Sequence, residues 1–233
     1  MNEAAPPVAA LEDTPFIMSI VVRTLSEQTY EVVRLKILTG DMSPGTAVRQ
    51  DAIAAELGVS KIPLREALSR LEQDGLLSSY PNRGYVVRGV STEEASEVFV
   101  LRLKLEPGAA AKAAVKAGPE DHERAEAALT ALETALGRPD GDHVSHNRAF
   151  HMSLVRPGGH ITSQLVERLQ ILSERYVRIH LEPFGRDERA SREHREILEA
   201  WKAGDAAKVE ALLAEHIQGT LDDLRQQLAL KQG

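Results

Sequence analysis

The 233-residue chain contains no cysteine, which excludes a disulfide framework and any thiolate metal site. It has no apolar run of membrane-spanning length. Its Ala/Pro-rich start lacks the charged beginning and apolar core of a secretion signal, so the chain is expected to be cytoplasmic. Residues 1–17 show no hydrophobic periodicity and are expected to form a disordered tail. An overall excess of basic residues, the usual mark of a nucleic-acid binder, is also missing, because the formal charge is −7. That deficit is unevenly placed. Residues 18–90 carry nine Lys/Arg against eight Asp/Glu, a balance of +1, whereas residues 91–233 carry 19 against 24, a balance of −5. Any nucleic-acid binding by the first half would therefore have to lean on a few placed cations.

What is present begins with LGVSKIPLREALSRLEQDGLL, Leu57 to Leu77. Gly58 can take the positive φ that ends a helix and turns the chain. Ser60 is expected to cap the next helix, with Pro63 in its first turn. Leu64, Ala67, Leu68 and Leu71 recur at helical spacing and make a buried face. Lys61 and Arg65 lie one turn apart on the opposite face, where a major groove could receive them. A basic stripe on a helix is more often only a solvated face, but the flanks favour a reader of DNA. Upstream, one helix closes at Gly40, Pro44-Gly45 makes a turn, and a short helix carries Ala52, Ile53, Ala55 and Leu57. Downstream, Gly75 ends the helix, and Leu76–Tyr80 and Tyr85–Arg88 read as strands around the turn residues Pro81-Asn82-Arg83-Gly84. Together these make a winged helix-turn-helix.

Residues from about Tyr30 to Val90 resemble the DNA-binding domain of GntR-family transcription regulators. The shared pattern is Gly-x-x-x-Pro-Gly, then LGVS followed by a REAL segment, then a DGL and a wing ending in RG. Two residues depart from it. Lys61 stands where the family usually has Arg, and Ile62 where it usually has Thr. Lysine offers a point charge instead of a fork, which favours a phosphate contact over guanine readout. Asp51 occupies a position where some members carry a DNA-contacting Arg. The resemblance implies DNA contacts by Ser60, Lys61, Ile62, Arg65, Arg70, Arg83 and Gly84.

Residues 91–233 read as all helix. Ser91-Thr-Glu-Glu is expected to be a capping box opening a helix towards Val115. Further helices are expected from Gly118-Pro119 to near Gly137, from about Asp142 to Val155, from Ile161 to Leu181 before Pro183, from Arg186 to Ala203, and from Asp205 to about Leu230. With no strand pattern and no internal repeat, six helices on short connections argue for an antiparallel bundle. The fold class is thus mainly α, a winged head joined to a helical bundle.

Three of these helices carry a histidine within an apolar stripe. His151 sits beside Phe150, Leu154 and Val155, His194 with Ala190, Ile197, Leu198 and Trp201, and His216 with Val209, Leu213, Ile217 and Leu224. A single such histidine is usually a satisfied core residue. Three imidazoles in one small core need partners, and one divalent metal serves all three. His122, His143, His146, His160 and His180 lie in polar or end positions and are expected at the surface.

Residues from about Glu97 to Leu224 resemble the FCD effector domain of the FadR subfamily. The resemblance rests on Val100 to Ala110, on NRAFHMSL (Asn147 to Leu154), on EHREILEAWKAGD (Glu193 to Asp205) and on Glu215 to Ile217. It implies a metal site of three histidines, here His151, His194 and His216. Asn147 stands where many members have Asp. Its neutral amide leaves a site of charge +2, which favours an anionic effector bound at the metal. Arg102, inside an otherwise apolar helix, is then expected to hold an effector carboxylate, with Arg175 and Arg178 as a second clamp. The ion is expected to be zinc, with nickel or manganese as alternatives.

The expected function is a transcription regulator, a repressor acting as a homodimer on a short inverted repeat of double-stranded DNA. A small carboxylate would modulate its operator affinity, and no membrane is involved. Two rivals stand beside it. One is a metal-dependent enzyme acting on a small organic acid, against which there is no general base beside the histidines. The other is a DNA-binding protein whose helical half only dimerises, with metal-free buried histidines.

Overall fold

The computed structural model describes residues 23–89, 91–136, 142–180 and 187–230. The expected tail and the expected helix ends near Gly137 and Pro183 lie outside these residues. The chain folds mainly as helix, with a winged helix-turn-helix head followed by a helical bundle.

In the head, α1 (Leu25–Thr39), α2 (Gln50–Leu57) and α3 (Lys61–Gln73) precede an antiparallel pair, β1 (Leu77–Tyr80) and β2 (Gly84–Val87). Thr24 and Glu27 close a capping box at the start of α1, which ends at Gly40. Gly58 ends α2 at φ +65°, the left-handed geometry the turn into α3 requires. The buried face of α3 is Leu64, Ala67, Leu68 and Leu71, packed with Tyr30, Val33 and Ile37 of α1. The wing turns at Asn82, whose φ of +64° is tolerated by its short polar side chain. Both strands begin one residue away from their expected starts. The segment before α2 also pairs with the wing, since Val48 donates to the Tyr85 carbonyl and Val87 to the Thr46 carbonyl, a third edge that the sequence did not suggest.

The bundle comprises α4 (Thr92–Ala114), α5 (Pro119–Leu136), α6 (His143–Val155), α7 (His160–His180), α8 (Asp187–Lys202) and α9 (Ala206–Leu230). Only half of the expected capping box opens α4. The Ser91 hydroxyl accepts from the Glu94 amide, but the Glu94 carboxylate binds Arg88 instead of returning to the cap. A single 3₁₀ turn at Arg156–Gly158 lies against α4. A Cβ on Gly158 would stand 2.9 Å from the Ala109 carbonyl oxygen, so only glycine permits this approach. Buried Trp201 of α8 donates to the Leu154 carbonyl of α6, and half-buried His122, expected at the surface, packs edge-on against its ring. Phe99, Phe150, Ile197, Trp201, Val209 and Leu213 form the heart of the core into which three histidines project. Among the described residues, no helix is long and apolar enough to cross a membrane.

Candidate functional site

At the head's outer face, Lys61, Ile62 and Arg65 of α3 are all exposed, Ile62 to 72%. Ser60 holds the N-cap position, yet its side chain makes no capping bond. Pro63 explains this departure. It stands at the third helical position, where the missing N–H is one of the donors a capping hydroxyl would accept from. The first amides of α3 are thereby left for solvent or a phosphate. Lys61 Nζ lies 2.7 Å from Asp51 Oδ1, and both side chains are exposed. The hydrogen bond and charge of Lys61, with Arg65 behind them, hold the Asp51 carboxyl below the usual range. Arg83 and Gly84 sit exposed at the wing turn. Arg70 is placed differently, with its guanidinium 4.4 Å from the centre of the Tyr30 ring on α1.

In the bundle, α6, α8 and α9 bring His151, His194 and His216 together, all buried, with one nitrogen from each within 4.8 Å of the others. His194 Nε2 and His216 Nε2 are 3.2 Å apart. Two imidazole nitrogens on one tetrahedral zinc, at about 2.05 Å each, stand about 3.3 Å apart. Hydrogen bonding orients two of the rings. His151 Nδ1 lies 2.6 Å from Glu106 Oε1, and His216 Nδ1 lies 2.7 Å from Glu193 Oε2. A carboxylate accepts only, so each Nδ1 carries a proton and Nε2 is the nitrogen left for a metal. His151 Nε2 and His194 Nδ1 are buried without a protein partner. Burial, followed by the neighbouring His216 and His151, pushes His194 well below its usual value. Burial also pushes His216 down to about 4, against the opposing pull of Glu193. Convergent, buried and with nitrogens left unpartnered, the three rings suit a divalent cation.

The carboxylates around the rings escaped sequence reasoning. Glu106 of α4 is fully buried, accepts from Gln170 Nε2 at 2.7 Å and from Arg102 Nε at 3.0 Å, and holds His151. Burial alone would raise its carboxyl, but Arg102 and His151 outweigh it and hold the group at about 2. Arg102 is buried, not snorkelling, and donates also to Ser173 of α7 at 3.2 Å. Its charge thus serves Glu106. Arg175 is buried too, but donates to the Arg88 carbonyl beside the wing, while Arg178 lies 3.5 Å from Asp142. Asn147 sits half-buried on α6, one turn before His151.

Residues 25–87 match the family of bacterial regulatory proteins named gntR, and residues 97–219 match the FCD domain. The chain belongs to the GntR family and carries an FCD domain. It is a DNA-binding transcription regulator and not an enzyme. It is 28% identical over 207 residues to the HTH-type transcriptional regulator YdhC of Bacillus subtilis, covering 84% of this chain and 92% of that one. It is 29% identical over 205 residues to a probable D-xylose utilization operon transcriptional repressor of Paenarthrobacter nicotinovorans, covering 85% and 88%. The solved structure of Escherichia coli McbR/YncC superposes with a TM-score of 0.74 at 26% identity, covering 89% of this chain and all of that one.

Within this GntR regulator, Glu193 is adjacent in sequence to His194 but carries no local mark of its role. Glu106 had one signal, an acid four residues after Arg102 in an apolar helix, where only buried pairing makes the charge tolerable.

Proposed function

We propose that this regulator is a homodimeric, cytoplasmic repressor whose FCD domain holds one divalent ion, zinc first among the candidates, and senses a small carboxylate. His151, His194 and His216 are the ligands, and Asn147 offers an amide oxygen. The observation that carries this reading is the convergence of three buried imidazoles, two of them aimed by carboxylates and with buried nitrogens left unpartnered. Bound there, the ion would act as an electrophilic anchor for an anion. Arg102, held through Glu106 behind His151, would supply the positive charge that favours a carboxylate there.

Ser60, Lys61, Ile62 and Arg65 meet the major groove, and Arg83 with Gly84 the adjacent backbone or groove. Arg70 contributes by holding α3 on α1. Repression is supported by the relative named as an operon repressor. Dimerisation is supported by the exposed apolar pair Leu101 and Leu105, one turn apart on α4. Zinc titration of the apo-protein, followed by calorimetry and elemental analysis, tests the site. One ion per chain with a raised thermal transition is expected, and a protein that takes up no zinc, nickel or manganese sinks the metal reading.

A further inference from the structure

One turn of α7, Gln170 to Arg175, faces two ways. Gln170 and Ser173 reach inward, to Glu106 and Arg102 behind the histidines. The intervening and following residues reach the head. Ile171 is buried in the head's own core, with α1 and α3. Leu172 fills the space beside Gly75, where a Cβ would come within 2.8 Å of it. Arg175 donates to the Arg88 carbonyl between wing and bundle.

The centre of this junction is Glu174, 3% exposed. Its Oε2 pairs with Arg34 of α1, itself 1% exposed, and its Oε1 accepts from Arg148 Nε of α6 at 2.8 Å. Arg34 also donates to Ser145 of α6 at 2.9 Å. Interfaces between domains of one chain permit relative motion unless they are large and apolar. Here α7 brings two apolar side chains to the head, Ile171 in its core and Leu172 beside Gly75, while the buried polar contact is made by charged forks with narrow angular tolerance.

We infer that Glu174 is a positioning residue that locks the DNA-binding head onto α6, the helix bearing Asn147 and His151, by joining Arg34 to Arg148. The lock sets the angle at which the recognition helix is presented. Its second part, that occupancy of the histidine site shifts this angle through α6 and α7, rests on the metal reading above.

The cysteine-free chain allows a direct test with spin labels at Glu66→Cys on the head and Glu123→Cys on the bundle, both exposed, with labelled protein diluted into unlabelled. The parent is expected to give one narrow distance distribution. Glu174→Gln should broaden and displace it. Because that change leaves buried Arg34 and half-buried Arg148 without their shared carboxylate, Arg34→Met is the companion variant, in which Glu174 keeps Arg148 as its partner. If both variants keep a cooperative thermal transition and the parental distribution, the lock is wrong. Zinc should shift the parent's mean distance and leave that of Glu174→Gln unmoved while binding it with the same stoichiometry. An equal shift in both overturns the coupling. A failure of the metal reading looks different, because zinc then leaves the parent's distance and thermal transition unchanged while the two variants still broaden.

Discussion

The head and the bundle spend their polar residues in opposite ways. The head places Lys61, Arg65 and Arg83 in solvent and packs α3 on apolar side chains. The bundle buries Arg102, Glu106, His151, Gln170, Ser173, His194 and His216 within one core. A surface that meets a charged polymer needs cations outside, where pairing with phosphate releases counterions. A site that holds an ion needs its donors inside, desolvated and fixed by hydrogen bonds. The two halves can therefore be broken independently. His194→Ala should abolish zinc uptake by calorimetry and leave the apo-protein's DNA affinity unchanged. Arg65→Ala should weaken binding to an in vitro-selected duplex by roughly five- to 150-fold, about 1–3 kcal/mol, with zinc uptake intact. Loss of both properties in either variant would mean that the separation is false.

Glu106→Gln sharpens the inner half of the comparison. The amide keeps the shape but no longer balances Arg102 or fixes the His151 tautomer as firmly. Zinc affinity should fall by about ten- to a hundred-fold, the usual cost of losing an outer partner of a ligand. An unchanged affinity would reduce Glu106 to a partner of Arg102 alone.

The same contrast decided what the sequence could tell. Each element of the head carries a local signal, such as Gly40, Gly58, the leucine spacing of α3 and the Pro-Asn-Arg-Gly turn. Its surprises were a cap undone by Pro63 and an added edge at Thr46 to Val48, whose partner is dozens of residues away. In the bundle the inward histidines showed through the apolar stripes around them. Their supports showed less, because an acid such as Glu193 reads as solvated until the packing of another helix is known, and Glu106 had only its spacing from Arg102. Arg34 and Glu174 stand 140 positions apart, and nothing near either names the other.

Acid should weaken the bundle before the head. His194 and His216 are neutral in the fold because burial lowers both, whereas the unfolded chain binds their protons near the ordinary 6.5. The unfolded state therefore gains protons first, and apo-protein stability falls as pH drops below that value. Glu106, depressed to about 2, adds a second loss that starts below its ordinary 4.5 and runs down to about 2. Thermal melts of the apo-protein between pH 8 and pH 3 check this (roughly the range in which such groups titrate). A melting temperature that rose on acidification through 6.5 would contradict neutral, buried histidines.

The smallest expected effect concerns Asp51, the carboxylate paired with Lys61. Asp51 neutralises Lys61 in the free protein, and both are exposed, so the pair is cheap to break. If Lys61 contacts a phosphate as proposed, it leaves Asp51 on binding, and the carboxylate is then left near a polyanion. It is tolerated best where an amino group such as cytosine N4 can donate to it. Asp51→Ala removes this competition. Binding to duplexes of any sequence should tighten modestly, the dependence of log affinity on log salt should steepen by up to about 0.9, and discrimination between duplexes should narrow. Fluorescence anisotropy across a salt series reads all three. Tighter binding at an unchanged slope would place Lys61 away from the phosphates, whereas weaker binding of the selected duplex alone would make Asp51 a direct reader of a base.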